Sequence, residues 1–390
     1  MSITKPIKLV SDTIDNEDIS SLCEWLLQRP TPRLTKGELT VKLEKAWAKK
    51  IGTEYSVFVN SGSSAILLLL AAYKENYAKG RRVKIVVPDV SWATDVSSPM
   101  LLDYDISLCD CNLHDLSCST SHLEEIFKRE NPDIFLSVSA LGLVPNMDVL
   151  IYLCKKYDVI LLEDNCESTG SMFDGKMLGS FGEASVFSTY YGHHISTIEG
   201  GFINTSNKEL YYTLLAMRSH GWSRDLPEEE ARKLSSSWSI SDFNNMYTFY
   251  APGLNVRSTD LQAFIGLRML RKMDKYSLKR NDNFKYYFKN IKGNVLFIED
   301  TDEVFVSNFA YPVVSFNKDK IVKELMENNI EVRPLIAGSI GAQPFWRKKH
   351  EPTNFNNSTT IHRYGFYIPN HQDLTTDEMD RIIDIINKYA

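Results

Sequence analysis

The sequence predicts an α/β protein with a largely parallel central sheet and a smaller α+β domain at its C-terminal end. Short apolar runs rich in β-branched residues alternate with amphipathic helical stretches over most of the chain. This alternation is typical of a parallel sheet covered by helices. A second observation is that the pattern changes near Ile291. The predicted strands of the central sheet are residues 55–59, 83–87, 106–109, 134–138, 159–162, 184–188 and 201–204.

Helices are predicted where apolar residues recur at helical spacing. They cover residues 38–50, 63–77, 123–130, 149–157, 208–217 and 259–273, with a charged and aromatic helix at 276–290. Beyond Ile291, strands around 304–314 and 330–332 alternate with helices at 318–327 and 376–388. We therefore predict a large domain, residues 1–290, that includes N-terminal helices, and a small domain, residues 291–390, packed against it without a flexible linker.

The composition is that of a globular protein with a sizeable core, since 43% of the 390 residues are hydrophobic and 24% are charged. A formal net charge of -6 argues against a nucleic-acid partner. The N-terminal segment lacks the apolar core of a signal peptide. The longest apolar run, residues 65–73, is too short to cross a membrane. We expect a cytoplasmic protein with no membrane partner.

Three of the six cysteines, Cys109, Cys111 and Cys118, lie close together in the sequence. Such a group could hold a metal ion or an iron–sulfur cluster, which needs a fourth ligand. No fourth cysteine lies nearby, and although His114 could serve, nothing else supports it. We therefore predict reduced thiols on a strand and the loop after it, and no metal site.

The first motif with chemical potential is Ser61-Gly62-Ser63-Ser64, between a predicted strand and a predicted helix. Free amides at a helix N-terminus, with glycine allowing close approach and serine adding hydroxyl donors, can cradle a phosphate. The same residues can also serve as an ordinary helix cap. This segment alone leaves both functions open.

The second motif places three acids, Glu163, Asp164 and Glu167, at the end of an apolar strand. Carboxylates at the C-terminal end of a buried strand lie where α/β folds bind ligands. One of them could pair with a cationic ligand group, or all three could be solvated in a surface loop.

The third motif, residues 187–201, carries the paired histidines His193 and His194 ahead of a Glu-Gly-Gly sequence. Histidines in such a loop can be bases, ligands or hydrogen-bonded loop residues. The pair by itself does not decide between these roles.

The fourth motif, residues 251–266, has a proline and a glycine before Asn255 and Arg257, and a helix cap at Ser258 or Thr259. The asparagine and arginine could bind a phosphate, or the segment could supply only turn and capping structure.

Together, the order and spacing of these motifs resemble the DegT/DnrJ/StrS sugar aminotransferases, which are fold type I enzymes that use pyridoxal phosphate. The resemblance rests on residues 61–63, Trp92, Glu163-Asp164 with Gly170, the stretch 188–201, and the G-x-N-x-R pattern at 253–257. It covers the chain from about residue 38 to the C-terminus. It implies an aspartate aminotransferase-like fold, in which a large domain with a mostly parallel sheet binds the cofactor.

The resemblance also implies the cofactor contacts. Gly62, Ser63 and Ser188 would bind the cofactor phosphate. Trp92 would stack on the pyridine ring, as suits a flat aromatic cation. Asp164 would pair with the pyridine nitrogen and keep it protonated, so that the ring accepts electrons.

Further residues take roles from the same resemblance. Glu167 would lie near the ring oxygen, where the aminotransferases usually have glutamine. Asn255 would reach the cofactor phosphate of a neighbouring subunit, since the family builds its sites across a homodimer interface. Arg257 and Arg333 would help to bind the nucleotide-sugar substrate.

One residue departs from the aminotransferase pattern. Six residues before Glu199, where the family has the lysine that links covalently to the cofactor, this chain has His193. No lysine occurs between Met177 and Asn207. Imidazole cannot make that stable covalent link, but it can move protons.

The His-His frame resembles a subgroup of 4-keto-sugar 3-dehydratases within this family. The segments around Trp92, Asp164 and His220 are also similar to theirs. That likeness implies that His193 is the active-site base, that His220 is a second active-site residue, and that Tyr247 lies near the substrate.

The implied reaction removes the C3 hydroxyl of a nucleotide-linked 4-keto-6-deoxy sugar, with GDP-4-keto-6-deoxy-D-mannose as the expected substrate. Pyridoxal phosphate and pyridoxamine phosphate would be the two cofactor forms, glutamate would be the amino donor, and ammonia would be released. A base that cannot capture the cofactor covalently favours loss of a leaving group over completed transamination.

Three other functions fit parts of the sequence. Iron–sulfur 3-dehydratases share the histidine, but their cluster cysteines follow it, and this chain has no cysteine after Cys166. A cofactor-binding relative without activity could also lack the lysine, although decay would not be expected to keep Asp164, Trp92, Ser188 and Asn255. A plain aminotransferase would need a lysine from elsewhere in the chain.

Overall fold

The computed structural model describes residues 5–296, 301 and 303–390. Residues 1–4, 297–300 and 302 of the two predicted domains therefore lie outside the described residues. Seven strands of five residues each form one sheet, in the order β1-β9-β8-β5-β4-β2-β3. The strands of the whole structure are β1 Tyr55–Val59, β2 Lys84–Pro88, β3 Asp105–Cys109, β4 Ile134–Val138, β5 Ile160–Asp164, β6 Met172–Phe173, β7 Lys176–Met177, β8 Ala184–Ser188, β9 Gly201–Thr205, β10 Val304–Phe305, β11 Tyr311–Val314, β12 Arg333–Pro334 and β13 Gly365–Ile368.

The large sheet is mostly parallel, as predicted. The pairs β2·β3, β2·β4, β4·β5 and β5·β8 are parallel, and only β9 runs antiparallel to its two neighbours, β1 and β8. Each predicted central strand is present within two residues of its predicted bounds. Strands β4 and β8 are buried along their whole length, as expected for continuous apolar runs covered on both faces.

The helices are α1 Asn16–Leu26, α2 Glu38–Ile51, α3 Gly62–Tyr77, α4 Ala93–Leu101, α5 Thr120–Glu130, α6 Met147–Tyr157, α7 Lys208–Met217, α8 Glu228–Ser237, α9 Asp242–Asn245, α10 Asp260–Asn290, α11 Lys318–Glu327, α12 Pro344–Arg347, α13 Asn356–Tyr364 and α14 Thr376–Asn387. One prediction here was wrong. The separate helices 259–273 and 276–290 are one helix of 31 residues, because neither glycine nor proline interrupts the chain at Asp274-Lys275.

Two small sheets lie outside the large one. Strands β11, β13 and β12 form an antiparallel sheet after the end of α10, while β10 pairs with β6 in a sheet that also contains β7. The predicted strand at 330–332 is only a single bridge, between Ile330 and Ile7. The first described residues of the chain therefore pack against the C-terminal region. In the described part of the chain, no helix is both long enough and apolar enough to span a membrane.

Candidate active site

A cavity of about 520 Å³ opens at the carboxyl-terminal edge of the large sheet. It is lined by Val138, Asp164 and Ser188, the last residues of β4, β5 and β8. These strands are parallel neighbours, so their ends converge where α/β proteins generally bind ligands. Eight of the predicted site residues line this cavity: Gly62, Ser63, Trp92, Asp164, Glu167, Ser188, His193 and Arg333.

The N-terminus of α3 meets the end of β8 at this cavity. Ser61 caps the helix, and its hydroxyl accepts a hydrogen bond from the Ser64 amide at 3.0 Å. A Cβ added to Gly62 would lie 2.7 Å from Ser188 Cβ and 2.9 Å from Cys166 Sγ. Only glycine allows so close an approach. The first amides of a helix have no partner within it, so those of Gly62 and Ser63 can bind an anion beside the Ser188 hydroxyl.

Five acids line the same cavity, and three of them, Asp95, Asp164 and Glu167, accept hydrogen bonds from backbone amides. The Asp164 carboxylate accepts a hydrogen bond from the Cys166 amide at 2.8 Å, and Glu167 accepts one from the Leu141 amide at 2.7 Å. Burial raises the pKa of the Glu167 carboxyl to about 7. Burial and the neighbouring Asp164 carboxylate raise the pKa of Asp95 well above its ordinary value. A cavity with this many carboxyl groups favours a ligand that brings positive charge.

Glu163 points away from the cavity, although the strand-end motif by itself did not distinguish it from Asp164 as a ligand-binding acid. Successive side chains of a strand alternate between faces, and Glu163 is fully enclosed on the other face of β5. Its carboxylate accepts hydrogen bonds from the amides of Gly179, Phe181 and Gly182 at 2.7, 2.9 and 2.7 Å. Glu163 therefore anchors the turn before β8, and Asp164 is the acid available to a ligand.

His193 lines the cavity and is partly accessible from it. Its Nδ1 is buried and has no hydrogen-bond partner among the described residues. The ring centroid lies 5.2 Å from that of Phe309 and 6.2 Å from that of Tyr190. Burial lowers the pKa of the imidazole to about 4, with a smaller contribution from the positive charge of Arg280. His193 is therefore neutral at physiological pH and able to accept a proton.

The adjacent His194 has a different environment. It is buried away from the cavity lining, and its Nε2 donates a hydrogen bond of 2.7 Å to the Ser307 carbonyl. Burial lowers its pKa well below the ordinary value. The two histidines thus separate into one that faces the cavity and one that attaches this loop to the segment before β11.

Four predicted site residues lie outside the cavity lining: His220, Tyr247, Asn255 and Arg257. Their segments contact one another. Arg257 donates a hydrogen bond to the Ser219 hydroxyl at 2.8 Å, and Ser219 pairs with Asn255 through the backbone. The ring of His220 lies 4.9 Å from that of Trp222, and Tyr247 is 73% exposed. The single chain therefore carries two groups of predicted site residues, one in the cavity and one on a nearby surface. We call the second group the 220–257 surface.

The cavity also contains residues that sequence reasoning missed. Asp95, Tyr190, Phe309, Glu331 and Tyr367 all line it. A local signal existed for Asp95 alone, since it follows Trp92 by three residues and an acid at that spacing can accept a hydrogen bond from the start of a helix. The others reach the cavity from distant parts of the chain or from a loop of mixed polarity, where the sequence pattern has no distinguishing feature.

With the geometry of the cavity established, comparison with known proteins identifies the family. The family model described as the DegT/DnrJ/EryC1/StrS aminotransferase family matches residues 13–387. The chain belongs to this family. The predicted family and fold class are therefore confirmed, and family members with solved structures share its α/β architecture.

Two similar family members have names that describe dehydration. GDP-4-keto-6-deoxy-D-mannose 3-dehydratase of Escherichia coli O55:H7 is 32% identical over 391 residues, covering 97% of this chain and 98% of that protein. A solved structure described as GDP-4-keto-6-deoxymannose-3-dehydratase with a trapped PLP-glutamate geminal diamine is 29% identical, with a TM-score of 0.86, and covers 97% of this chain and all of that one. The predicted cofactor and amino donor are the molecules in that relative's structure.

Other members of the family are aminotransferases. UDP-4-amino-4,6-dideoxy-N-acetyl-beta-L-altrosamine transaminase of Helicobacter pylori is 25% identical over 388 residues, covering 96% of this chain and 95% of that protein. Membership in the family therefore establishes relationship to pyridoxal-phosphate-dependent sugar-modifying enzymes. It leaves two reactions, dehydration and transamination, as candidates for this chain.

Proposed function

We propose that this protein is a pyridoxal-phosphate-dependent dehydratase that removes the C3 hydroxyl of a nucleotide-linked 4-keto-6-deoxy sugar. The proposed substrate is GDP-4-keto-6-deoxy-D-mannose. Glutamate, the amino donor, is oxidised to 2-oxoglutarate, and its nitrogen is released as ammonia. The observation that carries the proposal is His193, a cavity-lining imidazole with a lowered pKa, which stands where the motif spacing assigns the lysine of the family's aminotransferases.

The cavity residues fit the cofactor chemically. The cradle of Gly62, Ser63 and Ser188 is tight enough that a single added Cβ would fill it, and it suits a phosphate group. Asp164 would hold the pyridine nitrogen, and Trp92, which is 54% exposed, has a free face for an aromatic ring. When bound, the pyridoxamine form supplies an amine for the sugar ketone and an electron-withdrawing ring for the elimination.

The protein's own residues would then perform the proton transfers. His193 accepts a proton in its neutral form, which its lowered pKa maintains at physiological pH. Once protonated, the same imidazolium is an acid that can donate to the departing hydroxyl, so one residue serves both steps. Because imidazole makes no stable covalent link to the cofactor, the cofactor would be held by non-covalent contacts alone, chiefly those of the cradle, Asp164 and Trp92. This favours elimination over completed transamination.

The reaction can be tested with purified protein, pyridoxal phosphate, glutamate and GDP-4-keto-6-deoxymannose. We expect catalytic release of ammonia and a sugar product lighter by one oxygen atom, as measured by mass spectrometry. A His193→Asn variant should bind the cofactor but release no ammonia. A stable amino-sugar product would instead make the protein an aminotransferase. Conversion of the cofactor by glutamate with an untouched sugar would reject this substrate while retaining the cofactor chemistry.

We also propose that the protein is a homodimer in which the 220–257 surface of one subunit completes the cavity of the other. This surface carries exposed aromatic side chains, with Phe243 at 77%, Tyr247 at 73% and Phe249 at 53% exposure. Exposed aromatic clusters of this kind are frequent in subunit interfaces. In the dimer, Asn255 and Arg257 would reach the phosphate groups, and His220 and Tyr247 would lie near the sugar.

Subunit mixing would test the shared site. The His193→Asn and Asn255→Ala variants should each be nearly inactive, because every site in either homodimer lacks one component. A mixture of the two, unfolded and refolded together, should regain about a quarter of wild-type activity, because half of the dimers carry one intact site. Light scattering should give twice the mass of 44.6 kDa. A monomeric mass, or a mixture as inactive as its components, would reject the shared site.

A further inference from the structure

Two carboxyl groups, those of Asp95 and Asp164, lie buried beside each other at the cavity. Asp95 lies in the first turn of α4 and lines the same cavity as Asp164. It is 0% exposed, while Asp164 is 7% exposed. The two side chains are close enough to act as hydrogen-bond partners, and they raise the question of whether a proton lies between them. A hydrogen bond between two carboxyl groups requires a proton, since two carboxylates offer only acceptors.

The contacts of each group indicate where this proton lies. Asp95 Oδ2 accepts a hydrogen bond from the Trp92 amide at 3.1 Å, whereas Asp95 Oδ1 receives no donor from the described residues. Asp164 accepts a hydrogen bond from the Cys166 amide. The titratable groups that act most strongly on Asp95, after Asp164, include the carboxyl of Glu167, and the thiol of Cys166 also lies near both acids. Arg333 and His193 line the same cavity, but neither is among the main groups acting on Asp95, the more deeply buried acid.

We propose that Asp95 is a protonated positioning residue, whose Oδ1–H donates a hydrogen bond to the Asp164 carboxylate while its Oδ2 holds the Trp92 backbone. This inference rests on the proposed function in one respect, because it assigns Asp164 to the pyridine nitrogen. Asp95 then fixes two cofactor-contacting residues at once. It orients the Asp164 carboxylate, and it holds the residue that would stack on the ring.

Asparagine is the discriminating substitution, because it is the neutral isostere of protonated aspartic acid. Its Nδ2 can donate to Asp164 and its Oδ1 can accept from Trp92. Asp95→Ala removes both contacts. Glu378→Ala is the matched control, since Glu378 accepts a hydrogen bond from the Thr375 amide at 3.0 Å at the start of α14, in the same helical position but outside the cavity lining.

Two measurements test the proposal. The first is the infrared spectrum of the protein without added cofactor at about pH 8. The wild-type spectrum minus that of Asp95→Asn should contain the carbonyl band of a protonated carboxylic acid. The second is the dissociation constant of pyridoxal phosphate, measured by absorbance titration. We expect Asp95→Asn and Glu378→Ala to bind within about threefold of wild type, and Asp95→Ala to bind at least about tenfold more weakly.

The outcomes are distinguishable. Absence of the carboxylic-acid band, or binding by Asp95→Asn as weak as that of Asp95→Ala, would overturn the protonated assignment. Unchanged binding by Asp95→Ala would overturn the positioning role. If wild-type protein does not bind pyridoxal phosphate, the proposed function fails, but the infrared difference still decides whether Asp95 carries the proton. If Asp95→Ala does not fold, the asparagine variant and the infrared band still provide the test.

Discussion

The protonation of His193 provides a quantitative prediction about the proposed reaction. With an ordinary histidine pKa near 6.5, only about 9% of the side chains would be neutral at about pH 5.5. Burial lowers the pKa of His193 to about 4, so about 97% should remain neutral at that pH. A group with a lowered pKa keeps its neutral form as the pH falls and loses it only near the lowered value. The dehydration rate should therefore be nearly constant from about pH 8 to about pH 5.5, where an ordinary histidine would lose about tenfold.

The titration of Glu167 must be eliminated from this experiment, because burial raises the pKa of its carboxyl to about 7 and its charge would change in the same pH range. The rate is therefore measured in a Glu167→Gln background, by rapid mixing of pyridoxamine-phosphate-loaded protein with the sugar. Proton NMR gives the pKa of His193 directly, with His193→Asn as the assignment control, and circular dichroism checks the fold at each pH. A tenfold decline centred near pH 6.5, seen in both rate and NMR, would refute the reasoning.

Three further perturbations test other parts of the site. His193→Lys should restore a covalent link to pyridoxal phosphate, which would be seen as a shift in the absorbance of the cofactor. The variant should also yield some amino-sugar product. Continued dehydration without any transamination would contradict the proposed role of the histidine. Glu163→Gln should lower the free energy of unfolding by about 2–4 kcal/mol, because the amide nitrogen of glutamine would face backbone N–H donors. Urea denaturation measures this loss. The control Glu228→Gln, at a side chain that is 79% exposed, should show no such loss. Gly62→Ala should weaken pyridoxal phosphate binding about tenfold, because the new Cβ would displace Ser188. Equal affinity of Gly62→Ala and wild type would count against the cradle.

The central sheet was predictable because its strands are short apolar runs that must be buried on both faces. The anion cradle was predictable for a similar reason, since Ser61-Gly62-Ser63 joins a strand end to a helix start and glycine there has a steric purpose. The continuity of α10 was harder to predict from the sequence. The residues near Asp274 fit one long helix or two shorter ones, and the packing of α10 in the tertiary structure decides between them.

The candidate site likewise has features that the sequence predicted and features that only the tertiary structure decided. The sequence alone identified the family, the cofactor and the replacement of lysine by His193, because these depend on residue identity and spacing along the chain. Only the tertiary structure showed that His193 lines the cavity while His194 is buried away from its lining, since a loop has no fixed periodicity from which to read side-chain direction. It also brought Asp95, in the first turn of α4, into the same cavity as Asp164, at the end of β5. Proximity of that kind depends on the order of strands in the sheet, which local sequence does not encode.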